Sequence, residues 1–130
     1  MLVFIRGGGD LASGVALRLY KCGFDVIISE LPKPLPVRRT VSFASAIYHR
    51  SITIEGITGE YTSHFGQIKT LLNNGKIPVL IDPECDTLPV IKPNVIVDGR
   101  MLKRVVDRPE YTPQLLVGLG PGFSAGENCD

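Results

Sequence analysis

Apolar residues fall along this chain in short blocks, each closed by glycine, proline or charge. Leu2 to Ile5 is an unbroken apolar run followed by Arg6 and Gly7-Gly8-Gly9. A run without alternation predicts a strand covered on both faces, here ending in a tight turn. From Leu11 to Cys22 the spacing changes: Leu11, Val15 and Leu19, with Ala12 and Ala16 beside them, recur at helical intervals, while Ser13, Arg18 and Lys21 are assigned to the opposite face. Asp10 is expected to cap this helix and Gly23 to stop it. Phe24 to Ser29 is a second buried run, so the first thirty residues predict one βαβ unit.

Beyond it, Leu31-Pro32-Lys33-Pro34-Leu35-Pro36 carries three prolines in six positions, which excludes a helix or a central strand and predicts a stiff extended connection. Thr40 can then cap a short helix burying Phe43, Ala44 and Ile47. Ser51 to Thr58 alternates apolar and polar residues, as in a half-exposed strand belonging to an antiparallel excursion. Thr62 or Ser63 is expected to cap a helix with Phe65, Ile68, Leu71 and Leu72 on one face, stopped by Gly75. Ile77 to Ile81, Val95 to Val97 and Gln114 to Val117 read as further short strands, with no clear element over Leu88 to Ile91. Strands and helices that alternate in this way predict an α/β, Rossmann-like fold, a mainly parallel sheet with helices on both faces. Residues 1–130 are read as one domain.

Composition narrows the function. The 14 Lys+Arg against 13 Asp+Glu leave a formal charge of +1, so no basic excess calls for nucleic acid or an anionic membrane. With 44% hydrophobic and 21% charged residues the chain is of ordinary globular composition. No apolar stretch reaches the ~20 residues of a membrane span. Cys22, Cys85 and Cys129 form no C-x-x-C pair, and an odd number cannot all be paired, so a reducing cytoplasmic location is expected. His49 and His64 have no metal-ligand spacing, so no metal site is expected.

Chemistry concentrates at Gly7-Gly8-Gly9-Asp10-Leu11-Ala12, which fits G-x-G-x-x-A between a strand and a helix. In that arrangement Gly7 makes the turn, Gly9 lets a pyrophosphate approach the backbone and Ala12 lets helix pack on strand. The free N–H groups and dipole of the helix then favour an anion. Glu30 closes the second strand, where an acid would accept from a ribose 2′-hydroxyl. Against simple phosphate binding stands Asp10, whose carboxylate competes for the same N–H groups. Lys-Ser/Thr is missing after Gly14, so this is not a P-loop.

Glu30, Asp82 and Asp98 all stand at strand ends, on the edge where open α/β sheets hold ligands. Each also suits a plain turn. Arg38 and Arg39, and further on Arg100, Lys103 and Arg104, leave the same edge and could grip phosphate or carboxylate. Cys85, beside the acidic rim, is the one thiol considered for reactivity. Gly118, Gly120 and Gly122 form a second glycine-rich loop after the last strand, read either as a backbone cradle or as a flexible tail.

Four blocks occur in order: Arg6-Gly7-Gly8-Gly9-Asp10-Leu11-Ala12-Ser13-Gly14, Arg38-Arg39-Thr40-Val41-Ser42-Phe43-Ala44, Asp82-Pro83-Glu84 and Gly118-Leu119-Gly120-Pro121-Gly122-Phe123. The series resembles the accessory proteins of selenium-dependent molybdenum hydroxylases, of the YqeB type, functionally related to the xanthine dehydrogenase accessory factors. The resemblance implies a Rossmann-like domain that helps mature the molybdenum cofactor or insert it into a molybdenum hydroxylase client. The ligand that the resemblance implies is a molybdopterin, its cytosine dinucleotide form included; NAD(P) is the second candidate, brought by the glycine fingerprint. Residues transferred as ligand-binding are Gly7, Gly8, Gly9, Asp10, Arg38, Arg39, Asp82, Gly118, Gly120 and Gly122; Glu30 and Asp98 come from strand position alone. No catalytic residue transfers. Members of that family continue past the Gly-Pro-Gly-Phe loop, whereas this sequence ends eight residues after Gly122, so the N-terminal part of a longer architecture is expected. Two other readings stay open. One is an NAD-dependent oxidoreductase, though no Tyr-x-x-x-Lys pair or acid–base histidine stands out; the other is a non-catalytic nucleotide-sensing module. Self-association into a homo-oligomer also stays open.

Overall fold

The computed structural model describes residues 1–130. Seven strands form one sheet: β1 (Leu2–Arg6), β2 (Asp25–Glu30), β3 (Ser51–Ile54), β4 (Ile57–Tyr61), β5 (Ile77–Ile81), β6 (Val95–Asp98) and β7 (Leu115–Gly118). Their order is β3-β4-β5-β2-β1-β6-β7. Every neighbouring pair is parallel except β3 with β4. The α/β, Rossmann-like expectation holds.

The unbroken apolar runs are explained by what covers them. On one face Val3, Ile5, Val26, Ile28, Ile77 and Val79 pack with Ala12, Ala16 and Leu17 of helix α1 (Asp10–Lys21) and with Phe43 and Ala46. On the other face Phe4, Ile27, Leu80, Ile96 and Leu116 pack with Ile68 of α3 (Phe65–Asn73) and Leu88 of α4 (Leu88–Ile91). Because successive strand residues alternate between faces, a strand sandwiched between helices must be apolar at every position. Helices therefore cover both faces, as the sequence predicted.

Several local expectations are corrected. In α1 the buried side is Ala12, Ser13, Ala16 and Leu17, whereas Leu11 is 56% exposed. The stripe is rotated because small residues let the helix sit close to the sheet, which leaves larger Leu11 at the rim. Asp10 is the first helical residue and Gly9 the N-cap, without a side-chain cap bond. The single strand expected over Ser51 to Thr58 is a hairpin, β3 and β4, turning at Glu55-Gly56, both with positive φ. Two residues in that conformation make the tight turn whose twist suits antiparallel strands. Thr40 lies inside a 3₁₀ turn (Arg39–Val41) and caps nothing. A second such turn (Phe43–Ser45) and α2 (Ala46–His49) follow it. Neither Thr62 nor Ser63 is the N-cap of α3; His64 is, and the Thr62 hydroxyl accepts the His64 N–H at 3.1 Å. The undefined segment before β6 is α4, one turn whose second residue is Pro89.

The chain runs from β1 outward through β2 to β5, then crosses by α4 to β6 on the other side of β1. The strand order reverses between β1 and β6, and at such a switch point the connections diverge and leave a crevice at the carboxyl ends. No helix is long and apolar enough to cross a membrane.

Candidate functional site

A cleft of about 550 Å³ opens at this switch point, at the size of ordinary small-molecule sites. Its floor is made by Arg6, Gly7 and Gly9 after β1, by Ser29 and Glu30 at the end of β2, and by Gly99 and Arg100 after β6. Leu31, Pro34, Leu35, Pro36 and Val37 of the proline segment form one wall and Met101 and Leu102 another. The prolines keep the first wall extended; Tyr48 pins it by donating its hydroxyl to the Pro34 carbonyl at 2.6 Å. Leu35 and Val37 are 85% and 92% exposed, apolar surface that only a ligand or partner would cover.

The glycine loop follows from close packing. Gly7 has φ +89°, the left-handed turn that an L side chain resists. A Cβ on Gly8 would stand 2.9 Å from the Ala44 nitrogen, while one on Gly9 would meet nothing, so Gly9 presents bare backbone to the cleft. The N–H groups of Gly9, Asp10, Leu11 and Ala12 have no acceptor in the protein; the first helical bond of the turn runs from Ser13 to the Gly9 carbonyl. These are the orphan donors of a helix start, which an anion satisfies.

Glu30 is placed as expected but is already engaged. One carboxylate oxygen accepts the Gly8 N–H at 2.7 Å and the other accepts its neighbour Leu31 N–H at 2.7 Å. Each oxygen retains a lone pair for a ligand hydroxyl. Asp10 pairs with the Nε of Arg38 at 2.9 Å, with its side chain 22% exposed and that of Arg38 72%. Asp10 is thus held by a cation instead of capping its own helix.

Asp98 is buried at the end of β6 and holds two guanidiniums. Arg100 reaches it through Nε at 2.9 Å and Nη2 at 2.5 Å, and Arg6 through Nη1 at 3.5 Å. The hydrogen bond to Asp98 holds the Arg100 guanidinium more firmly protonated than usual, against the cost of its partial burial. Arg6 also donates to the Pro83 carbonyl at 3.2 Å.

The other candidates lie away from the cleft. Asp82 is buried, and its carboxylate accepts the Asp86 and Thr87 N–H groups and the Thr87 hydroxyl, fixing the loop into α4. Arg39 is exposed and does not line the cleft; its carbonyl accepts the Ser45 hydroxyl at 2.7 Å. Gly118, Gly120 and Gly122 are neither a cradle nor a loose tail. A Cβ on Gly118 would overlap the Phe123 ring at 2.2 Å, Gly120 lies against Met101, and the Gly122 N–H donates to the Leu102 carbonyl at 2.8 Å. The second glycine loop therefore props the Met101–Leu102 wall from behind. Cys85 is buried and desolvation pushes its thiol up, chiefly against the lowering field of Arg6, so it is not an activated nucleophile.

Sequence reasoning missed three contributors. Ser13 is buried: its hydroxyl donates to the Gly8 carbonyl at 3.0 Å and accepts the Phe43 N–H at 2.8 Å, joining the glycine loop to the Arg-Arg-Thr-Val-Ser-Phe-Ala block. Gly99 makes room for Ala12, whose Cβ would be 2.7 Å from an added Cβ. Arg6 was visible as a charge ending an apolar strand just before the glycines, which is the signal that could have found it.

No family model and no solved structure matches the chain. It is 43% identical over 128 residues, 98% of its own length, to the "Uncharacterized protein YqeB" of Escherichia coli (strain K12), a name that agrees with the YqeB type its motif series resembles. It spans 24% of that relative, so about a quarter of a longer protein is what this domain is similar to.

Proposed function

We propose that the domain binds a nucleotide or molybdopterin-type ligand in the switch-point cleft, as the cofactor-handling part of an accessory protein for a molybdenum hydroxylase of the cytoplasm. The observation that carries it is the run of four unpaired N–H groups from Gly9 to Ala12, opening on a cleft that also holds Glu30. Donors without acceptors suit phosphate oxygens, a strand-end carboxylate suits a sugar hydroxyl, and apolar walls suit a planar ring. Held this way, the pterin or nicotinamide would contribute its own redox or ligating chemistry, and the residues named here would bind and orient it. No histidine, tyrosine, lysine or cysteine lines the cleft, which favours binding over the oxidoreductase reading. The maturation role and the client rest on the motif resemblance alone.

The test is thermal unfolding with NAD, NADP, CTP, CDP and molybdopterin. A ligand at about 100 times its Kd adds about 2.7 kcal/mol to native stability. Stabilisation by one of them, absent in a folded Gly9→Val protein, is the expected result, because the valine fills the open approach to the backbone. Equal stabilisation of Gly9→Val overturns the reading.

A further inference from the structure

We propose that the cleft has a second polar subsite, beside the glycine loop on its β6 side, in which Arg6 and Arg100 held on Asp98 take a phosphoryl or other oxyanion group of the ligand. This rests on the reading of the cleft as a ligand site and assigns its polarity. On the β2 side of the glycine loop Glu30 occupies the Gly8 N–H, while Asp10, in the first turn of α1, is balanced by the exposed Arg38. Glu30 therefore suits a hydroxyl better than a second anionic group. On the β6 side, where Arg100 packs against Gly7, the balance is reversed. Two guanidiniums share the single carboxylate of Asp98, whose side chain is 4% exposed, so the trio carries one net positive charge that the partly exposed Arg100 presents to the cleft. Glu84, the next acid to influence Arg100, is exposed and well screened.

The arrangement is also fixed before any ligand arrives. The two oxygens of Asp98 accept the Arg100 backbone N–H, its Nε and its Nη2, while Arg6 is tied by Nη1 to Asp98 and by Nη2 to Pro83. Nε of Arg6 and Nη1 of Arg100 have no acceptor in the protein, and both residues line the cleft. Planar forks with spare donors, aimed by a buried carboxylate, suit oxyanions better than a flexible lysine would. A ligand would then lie with its hydroxyl-bearing end on Glu30 and an anionic group on the arginines.

The experiment is calorimetric titration of the protein with inorganic pyrophosphate, cytidine and CDP, on wild type, Arg100→Gln, Arg6→Gln and, as a control outside the cleft, Lys103→Gln. Pyrophosphate should bind wild type and Lys103→Gln alike and lose roughly tenfold or more on Arg100→Gln, as for loss of a charged hydrogen bond. Arg6→Gln removes the other guanidinium and should weaken pyrophosphate likewise, which keeps the test decisive if Arg100→Gln does not fold. Absence of pyrophosphate binding, equal loss in Lys103→Gln, or undiminished binding to a folded Arg100→Gln or Arg6→Gln each overturns the subsite. Cytidine separates the two readings: its failure to bind, with Arg100-dependent pyrophosphate binding intact, removes the nucleotide and leaves the anion subsite standing.

Discussion

Single side chains decide how the glycine loop is held, and Ser13 is the clearest case. Its hydroxyl sits in the interior with a donor on one side and an acceptor on the other, the Phe43 N–H and the Gly8 carbonyl. Ser13→Ala leaves the buried Phe43 N–H without an acceptor, while the Gly8 carbonyl keeps only the Ala44 N–H at 2.9 Å, at a cost of about 1–3 kcal/mol. Urea unfolding should show that loss, and ligand affinity should fall with it because Gly8 leads directly to the open backbone of Gly9. An unchanged midpoint would mean that the loop holds itself. Cys85 gives a prediction in alkali. Its folded thiol value is raised, so the native state keeps a proton that the unfolded chain has released, and stability must fall as pH rises through the ordinary thiol value of about 8.5. Replacing Cys85 with Ser should flatten that alkaline decline in a pH series of melting curves.

Elements were legible where one rule governs them. The buried parallel strands announced themselves as apolar runs because both of their faces are covered, and α3 because its apolar residues recur at helical spacing. The hairpin was merged into one strand because Glu55-Gly56 lacks the Asn or Asp that usually marks such a turn. The face of α1 was misread because hydrophobic size was weighed above fit: what the helix needs against Gly99, just beyond β6, is smallness. Gly99 and Ala12 meet so closely that Gly99→Ala must push the first turn of α1 away from the sheet, costing about 1–3 kcal/mol. Ala12→Gly in the same protein should recover part of that loss despite its poorer helix propensity, and the coupling would appear in a double-mutant cycle of unfolding free energies. Strict additivity would place the strain elsewhere. For the site itself, position at the end of β1 or β2, or at the start of α1, places Gly7, Gly9, Asp10 and Glu30 on the cleft. It could not separate Asp98, which organises two arginines there, from Asp82, which only ties a loop, because the two look alike until the partners of each carboxylate are known.

At the scale of the whole molecule, the cleft depends on segments far apart in sequence, and its Met101–Leu102 wall depends on residues that follow β7. Leu102 is held by Gly122, Gly122 and Val106 by the Asn128 amide, and Asp130 closes the series by accepting the Leu116 N–H at 2.8 Å and pairing with Arg108 at 2.8 Å. Those two bonds hold the Asp130 carboxyl below its ordinary value, the Leu116 N–H contributing most. A carboxyl with a depressed folded value adds stability that is complete above its unfolded value of about 3.9 and is lost as pH falls through the folded one. The staple behind β7 should therefore open on acidification while the ladder between β1 and β2, which pairs backbone with backbone, stays closed. In an NMR titration the Leu116 amide should shift with an acid midpoint below about 3.9. Asp130→Asn should remove that step and leave the amides of β1 and β2 unmoved. If the same shift persists in Asp130→Asn, the wall of the cleft is held by packing alone, and its closure owes nothing to this carboxylate.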